Sequence, residues 1–514
     1  MEGETVTERT KKLAVFMAFG TKGDTYPIAA IAAAFATDQN DYDVVFITHS
    51  AHENLRSHLA KRNVVYVPIS SPPVLSINAT DDTTGSKELE FAETKKAITN
   101  EHRRECYSAF EKIFGDSPSL EGDFIGINFF ALEGWSLAEL FRVHCVAVAP
   151  YVVPYSAPSA FERQFRKELP LLYKYLQEAP AGKVCWKDVI HWMWPLFSEN
   201  WESWRSEDLN LSLYPFTDPV TGLPTWHDRP QSPLLLYGFS KEIVECPDYW
   251  PSNTRVCGFW FLPIEWQFSC KECGEIMLSL GHLTTYNMCS AHAELQYFLT
   301  TPLSLPPIFL GLSSIGRMGF MRNPQAFLQV LQTVLEITGY RFILFTDGYE
   351  PLDAAIQEIA SEASSSPNPR QLVQNGISLF DSRLFCFSGM IPYNWLFPRC
   401  LAAIHHGGSG STAAALYAGI PQILCPFMLD QFYWAEKMFW LGVAPEPLRR
   451  EHLVPENCND SSIRLAANVL SQAINDALSP RVKARAVEIG KRISLEDGVS
   501  EAVKILKEEM GCRI

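Results

Sequence analysis

The sequence predicts an α/β protein made of two Rossmann-like parallel domains, and three observations predict it. Residues 13–19 are an apolar run that empties into Gly20-Thr21-Lys22-Gly23-Asp24, before an alanine-rich stretch and a second apolar run at 44–48. The same order returns late in the chain: residues 401–404 run into His405-His406-Gly407-Gly408, a second alanine-rich stretch follows, and residues 422–427 are apolar again. Apolar runs without polar alternation mark strands covered on both faces, as in a parallel sheet. With 514 residues, the chain is long enough for two domains that each bury a core.

Taken in order, the first domain (residues 1–245) holds the strand 13–19, a helix opened by Pro27 and running over 28–36, and the strand 44–48. Strands follow at 64–69, 124–129, 145–149 and 234–239, with helical stretches near 89–110 and 132–141 between them. Between Tyr151 and Trp226 the chain turns aromatic and proline-rich, with Trp186, Trp192, Trp194, Trp201 and Trp204 close together. Each alone reads as core, and the cluster suggests an apolar partner. Residues 246–306 read as a connection and 307–480 as the second domain, with strands at 308–312, 341–346 and 384–388, a helix over 324–337 and a polar loop at 364–370. Helical residues 481–514 close the chain.

The formal charge of -15 argues against a nucleic-acid partner, which needs a basic face. Hydrophobic residues at 47% and charged ones at 20% are ordinary for a globular protein. No secretory h-region is visible near Met1, and no apolar run reaches the ~18 residues of a membrane span. Thirteen cysteines, an odd number, fit reduced thiols better than a disulfide framework. The expectation is a cytoplasmic protein, with a peripheral membrane contact left open.

The chemistry concentrates in 405–431. Gly407, Gly408 and Gly410 let the backbone come close to a ligand, and Ser409, Ser411 and Thr412 add hydroxyls where the helix opens, Ser411 and Thr412 serving as its caps. A helix opened this way offers unpaired N–H groups and the positive end of its dipole to a diphosphate. His405 and His406 at the lip can donate to phosphate oxygens. Past the next strand stand Asp430 and Gln431, a carboxylate and an amide suited to sugar hydroxyls. Diphosphate together with sugar hydroxyls means a nucleotide sugar.

These residues resemble the inverting nucleotide-sugar glycosyltransferases of GT-B fold, in the sterol glucosyltransferase-like branch. The resemblance rests on HHGGSGST at 405–412, PFMLDQFYW at 426–434, LGVAPEPL at 441–448 and residues 391–398. It extends to GTKGDTYP at 20–27, YGFS at 237–240, GFWFLP at 258–263 and DGVSEAV at 497–503, so it covers nearly the whole chain. It implies two Rossmann-like domains facing across a cleft, with the donor on the second and the acceptor on the first. It also implies a UDP-sugar donor and a lipophilic acceptor such as a sterol; no cofactor is required where a helix dipole and side-chain donors replace the cation used elsewhere for diphosphate, and no obligate protein partner is evident. His406 matches the family's phosphate-contacting histidine, with His405 behind it. Ser314 follows the first strand of the donor domain, and the backbones of Met390 and Ile391 meet the base. Thr21 and Lys22 touch the donor phosphate. Lys22 stands where relatives carry arginine, and Ser313 where they carry glycine.

Asp24 matches the residue proposed as base in this branch; as a residue at a helix start it reads equally as a cap or a donor contact. His49, His52 and His58 are rival bases. A different class, a non-catalytic nucleotide-sugar sensor or scaffold, would keep the binding residues without turnover. A nicotinamide dehydrogenase would need a GxGxxG turn after the first strand, which is missing.

One feature lies outside the resemblance. Cys270 and Cys273, a fifteen-residue spacer, then Cys289 and His292 give CxxC and CxxH, compatible with a structural zinc or with an inserted loop of reduced cysteines.

Overall fold

The computed structural model describes residues 9–74, 85–115, 119–151, 156–268, 270–281, 284, 288–301, 305–312, 315–363, 376–389 and 391–512. Ser313, Ser314, Met390 and the 364–370 loop therefore lie outside the described residues. The chain divides into two compact units: residues 1–74, 83–261 and 497–514 form the first, and 75–82 with 262–496 the second.

The first unit is a seven-stranded sheet. Its strands are β1 (Lys12–Met17), β2 (Tyr42–His49), β3 (Val64–Ile69), β4 (Phe124–Ile127), β5 (His144–Ala149), β6 (Leu235–Tyr237) and β7 (Thr254–Val256), in the spatial order β3-β2-β1-β4-β5-β6-β7. Every pairing is parallel, with Phe16 of β1 opposite Phe46 of β2 and Gly126 of β4. This explains the unbroken apolar runs, because helices cover both faces. Strand β7 is three residues long with an exposed Arg255, so it gives no such run.

Helix α1 (Lys22–Asp38) starts five residues before the expected Pro27 and carries that proline inside it. The start is set by a capping box: the Asp24 carboxylate reaches back to the amide of Thr21, the N-cap residue. The unit also holds α2 (Gly85–Phe114) and α3 (Glu133–Phe141). Four of the five tryptophans form core in the helical segment 186–208, and Trp194 is half-buried. Trp186, Trp192, Trp201 and Trp204 are all buried, with Trp192 stacked on Phe129 and the Arg103 guanidinium lying over Trp201 at 4.4 Å.

The second unit has a six-stranded sheet in the order β10-β11-β9-β8-β12-β13. These are β8 (Ile308–Gly311), β9 (Phe342–Phe345), β10 (Ile377–Leu379), β11 (Leu384–Phe387), β12 (Ala403–His405) and β13 (Gln422–Leu424). All pairings are parallel except β10 with β11, an antiparallel edge that the apolar runs do not predict. The hairpin between them turns through Phe380, Asp381 and Ser382, all at positive φ, none of which is a glycine to signal it.

The helices of this unit include α4 (Lys271–Leu280), α5 (Ala293–Thr300), α6 (Pro324–Ile337), α7 (Ser409–Ala418), α8 (Gln431–Leu441), α9 (Asp460–Ala477) and α10 (Pro480–Ile493), with a further helix, Glu350–Ala363, between β9 and β10. Helices α6 and α9 bury Leu331, Val334, Leu470 and Ile474 in one core with Ile404 and Ile423 of the sheet. Both start at a side-chain cap, Asn323 on the amide of Ala326 and Asn459 on that of Ser462. The last helix, α11 (Gly498–Glu509), follows the second unit in sequence but belongs to the first, where Lys507 pairs with Asp38 of α1 at 2.8 Å. Among the described residues, no helix is long and apolar enough to cross a membrane.

Candidate functional site

Each sheet has a switch point where the strand order reverses, and ligands of open α/β sheets bind beyond the strand ends there. In the second unit it falls between β8 and β12, so the loop 406–408 leaves the sheet at that point. In the first it falls between β1 and β4, at the loop 18–21. Among the described residues singled out from the sequence, His406 to Thr412 stand at the first of these places and Thr21, Lys22 and Asp24 at the second.

Helix α7 starts at Ser409, two residues before the expected Ser411, with Gly408 as its N-cap. No side chain caps it, so Ser411 and Thr412 do not play the capping part expected of them. They stand in the first turn, where the amide of Thr412 bonds to the Gly408 carbonyl at 3.0 Å. The amides of Ser409, Gly410 and Ser411 are the first three of the helix, which an α-helix leaves without internal acceptors. They form the positive end of the dipole.

Two buried polar atoms beside this tip have no partner among the described residues: Nδ1 of His406 and the Thr412 hydroxyl. Buried polar atoms are nearly always paired, so two orphans beside one uncapped helix tip make this loop the candidate for a ligand that completes the bonding. Burial pushes the His406 imidazole down to about 3, with neighbouring His405 adding to the shift, so the ring is neutral at pH 7. A neutral ring donates one N–H and accepts at the other nitrogen.

His405 is turned inward. Its Nε2 pairs with Gln422 Oε1 at 2.9 Å, and its Nδ1 accepts from the amide of Gly407 at 3.1 Å. With Nδ1 an acceptor, Nε2 must carry the proton. Both nitrogens are thus used internally, one on β13 and one on the loop, which His405 pins in shape. Gln422 is a site residue that the motifs do not single out; its signal is a polar residue opening a buried strand, since such a group needs a partner. Gly407 has φ +85°, and a Cβ there would lie 3.0 Å from the carbonyl of Gln431. That glycine is required twice, by conformation and by close approach.

Asp430 and Gln431 open helix α8, with Asp430 as N-cap. Gln431 is buried, and its Oε1 accepts from the amides of Phe427 and Met428 at 2.9 and 3.1 Å. Asp430 Oδ2 accepts from the Trp434 indole at 3.2 Å. The backbone just before them is tight, with Leu429 at φ +50°. Ile391, four residues beyond the end of β11, is buried, and the short helix Tyr393–Leu396 follows it.

In the first unit, half-buried Asp24 accepts at Oδ2 from both the amide and the hydroxyl of Thr21, at 2.7 and 2.8 Å. Burial lifts its carboxyl to about 6, against the downward pull of those two bonds. Gly20 makes room: its φ is +104°, and a Cβ would sit 2.6 Å from Asp24 Oδ2. Lys22 is the first residue of α1. Asn128, which no motif points to, ties the two loops at this switch point together. Its side chain accepts from the Phe19 amide at 3.2 Å and donates to the carbonyls of Phe19 at 2.8 Å and Asp24 at 3.3 Å. A lone asparagine ending an apolar strand is its only signal.

The rival histidines are placed differently. His52 is buried, with Nε2 on the Gly20 carbonyl at 3.0 Å, and burial lowers its pKa. His49 is pushed down to about 3, chiefly by burial, and joins Ser71 and His102 in a chain of contacts at 3.2 and 2.7 Å. His58 lies on the short helix Arg56–Ala60, away from the β1 loop in sequence and half-buried.

Comparison with known proteins bears on the family likeness and the fold. Residues 385–486 match the family model described as erythromycin biosynthesis protein CIII-like, C-terminal domain. The chain is 40% identical to a sterol 3-beta-glucosyltransferase of Arabidopsis thaliana over 496 residues, 95% of this chain and 64% of the relative. It is 24% identical to a sterol 3-beta-glucosyltransferase of Saccharomyces cerevisiae over 508 residues, 96% of this chain and 35% of the relative. The chain thus spans between about a third and two thirds of the length of these relatives. Among solved structures, a calicheamicin glycosyltransferase superposes with a TM-score of 0.57 at 14% identity, covering 98% of this chain and 99% of its own. A spinosyn forosaminyltransferase gives 0.54 at 13% identity, covering 97% and 99%. These share the fold. From its first strand to its last helix the chain resembles the GT-B-fold UDP-glycosyltransferases, in their sterol 3-beta-glucosyltransferase-like branch.

Proposed function

We propose that this chain transfers glucose from UDP-glucose to the hydroxyl of a sterol or similar lipophilic alcohol, with inversion at the anomeric carbon. The acceptor oxygen attacks that carbon, the bond to the diphosphate oxygen breaks, the hydroxyl proton passes to a base, and UDP leaves with the bonding electrons. The observation that carries the reading is the uncapped tip of α7, where three free amides stand beside two buried polar atoms without partners. Such a tip stabilises charge growing on a leaving diphosphate more than it stabilises the intact donor, which is what lowers a barrier.

In this reading the amides of Ser409, Gly410 and Ser411, the His406 ring and the Thr412 hydroxyl take the diphosphate. Gly407 and Gly408 let it approach. His405, through Gln422, holds the loop. Asp430 accepts from sugar hydroxyls and Gln431, whose carbonyl oxygen is occupied, donates through Nε2. Met390 and Ile391 meet the uracil through their backbones, with Ser314, Thr21 and Lys22 as further donor contacts. Asp24 is the base. A carboxyl lifted to about 6 is largely ionised at pH 7 and more basic than an ordinary aspartate. The sterol acceptor is inferred from the names of the relatives.

The test is UDP release from UDP-glucose with and without ergosterol or sitosterol. Sterol-dependent release with a β-linked glucoside as product supports the reading. Tight UDP-glucose binding without release under any acceptor would instead make the chain a nucleotide-sugar sensor.

A further inference from the structure

The segment that leads into the second sheet carries four residues the transfer chemistry does not use. We propose that Cys270, Cys273, Cys289 and His292 form a structural zinc site. One ligand atom from each lies within 4.8 Å of all the others. The contacts are specific: Cys270 Sγ is 3.3 Å from Cys289 Sγ, and His292 Nδ1 is 3.2 Å from the Sγ atoms of both Cys273 and Cys289. In a tetrahedral site with zinc–sulfur bonds of about 2.3 Å, neighbouring ligand atoms stand roughly 3.5–3.8 Å apart, close to this spacing.

The geometry favours zinc over rival uses of these side chains. A disulfide between Cys270 and Cys289 would occupy two sulfurs at about 2.05 Å and give no reason for a third thiol and an imidazole to converge on them. Three sulfurs and one imidazole suit zinc and disfavour the hard cations, which take oxygen ligands. Cys273, Cys289 and His292 are buried, and four protein ligands leave no coordination position open, so the metal builds structure and takes no part in chemistry.

Local structure presents the ligands in two pairs. Cys270 is the N-cap of α4 and Cys273 sits in its first turn, so the CxxC pair is held by one helix start. Cys289 and His292 bracket a short 3-10 turn that runs straight into α5. One ion therefore ties the start of α4 to the start of α5. Helix α5 is fixed to the sheet in turn: the Arg341 guanidinium donates to the Phe298 carbonyl at 2.6 Å, and Phe298 stacks on Phe385 of β11 at 5.3 Å. The His292 ring itself lies 5.6 Å from that of Phe387, the last residue of β11. The metal would thus brace the strand that leads into Ile391.

The test uses the whole chain. Protein purified with zinc and exchanged into metal-free buffer is analysed for metal, and chelated protein is titrated with Co2+. The expected result is about one zinc per chain, and with cobalt the intense visible bands and thiolate charge-transfer absorption of a tetrahedral sulfur-rich site. Cys273→Ser and His292→Ala should each lower affinity at least about tenfold, whereas Cys289→His, which keeps four ligands, should retain the metal. Native protein that carries no zinc and gives only the pale spectrum of hydrated cobalt would overturn the proposal. So would thiol titration of the native protein showing Cys270 and Cys289 joined as a disulfide.

Discussion

Asp24 has two roles that a substitution can separate. Its carboxylate caps α1 through Thr21, and its raised pKa suits it to accept a proton. Asparagine keeps an oxygen for the cap but cannot act as base, so Asp24→Asn should fold normally and lose roughly 10²–10⁴-fold in transfer rate. In the native protein, kcat/KM should rise with pH through about 6, as the carboxyl ionises. Stability has the opposite sign. A carboxyl whose folded pKa is raised binds its proton more tightly in the folded state, so its contribution is full below pH ~4 and fades as pH rises through about 6. Asp24→Asn should remove that dependence, as pH-dependent melting can show; an active Asp24→Asn enzyme would reduce the residue to a cap. His406 gives a second contrast. Its Nδ1 is buried without a partner, so His406→Leu, similar in size and apolar, should leave the melting temperature unchanged or higher while transfer falls about 10²-fold or more. A lower melting temperature with normal turnover would make the ring a packing residue.

At the scale of elements, the cradle is a helix held from both ends. Its tip is shaped by the His405–Gln422 pair, and its far end is gripped by α10, where a Cβ on Gly490 would lie 2.8 Å from the Cα of Gly419. Gly490→Ala should therefore destabilise the second unit by about 1–3 kcal/mol through overpacking, readable by denaturant unfolding, and weaken UDP binding as α7 shifts. Gln422→Leu should do likewise by about 1–3 kcal/mol, because His405 would keep a buried donor without an acceptor. The strands of both sheets are legible in the sequence wherever helices cover both faces, since an unbroken apolar run of strand length between turn residues fits a doubly covered sheet. Strands β7 and β10 are not, being three residues long and partly exposed. Helix starts are misplaced for a common reason. Proline at 27 and the hydroxyls at 411–412 are ordinary start signals, but the capping box at Thr21 and the bare Gly408 set the real boundaries. Residue types at the site are legible, whereas their hydrogen-bond partners, Gln422 and Asn128, depend on tertiary placement that local pattern does not encode.

For the whole molecule, the notable feature is that the chain leaves the second unit at residue 496 and ends in the first. Ala502, Val503 and Leu506 of α11 are buried there, and Lys507 is paired with Asp38. Ending the chain before Asp497 would uncover the surfaces these side chains pack against, and Val503 and Leu506 alone are worth about 1.5–3 kcal/mol each. The first unit should then melt at lower temperature, while the second should still be stabilised by added UDP. Unchanged melting of both would show α11 to be dispensable. The free amides opening α7 should receive the departing nucleotide, and a crystal structure with UDP bound would show whether they do. Diphosphate oxygens within hydrogen-bonding distance of the amides of Ser409, Gly410 and Ser411, with the His406 ring beside them, are the expected result; UDP lodged away from that helix tip would contradict it.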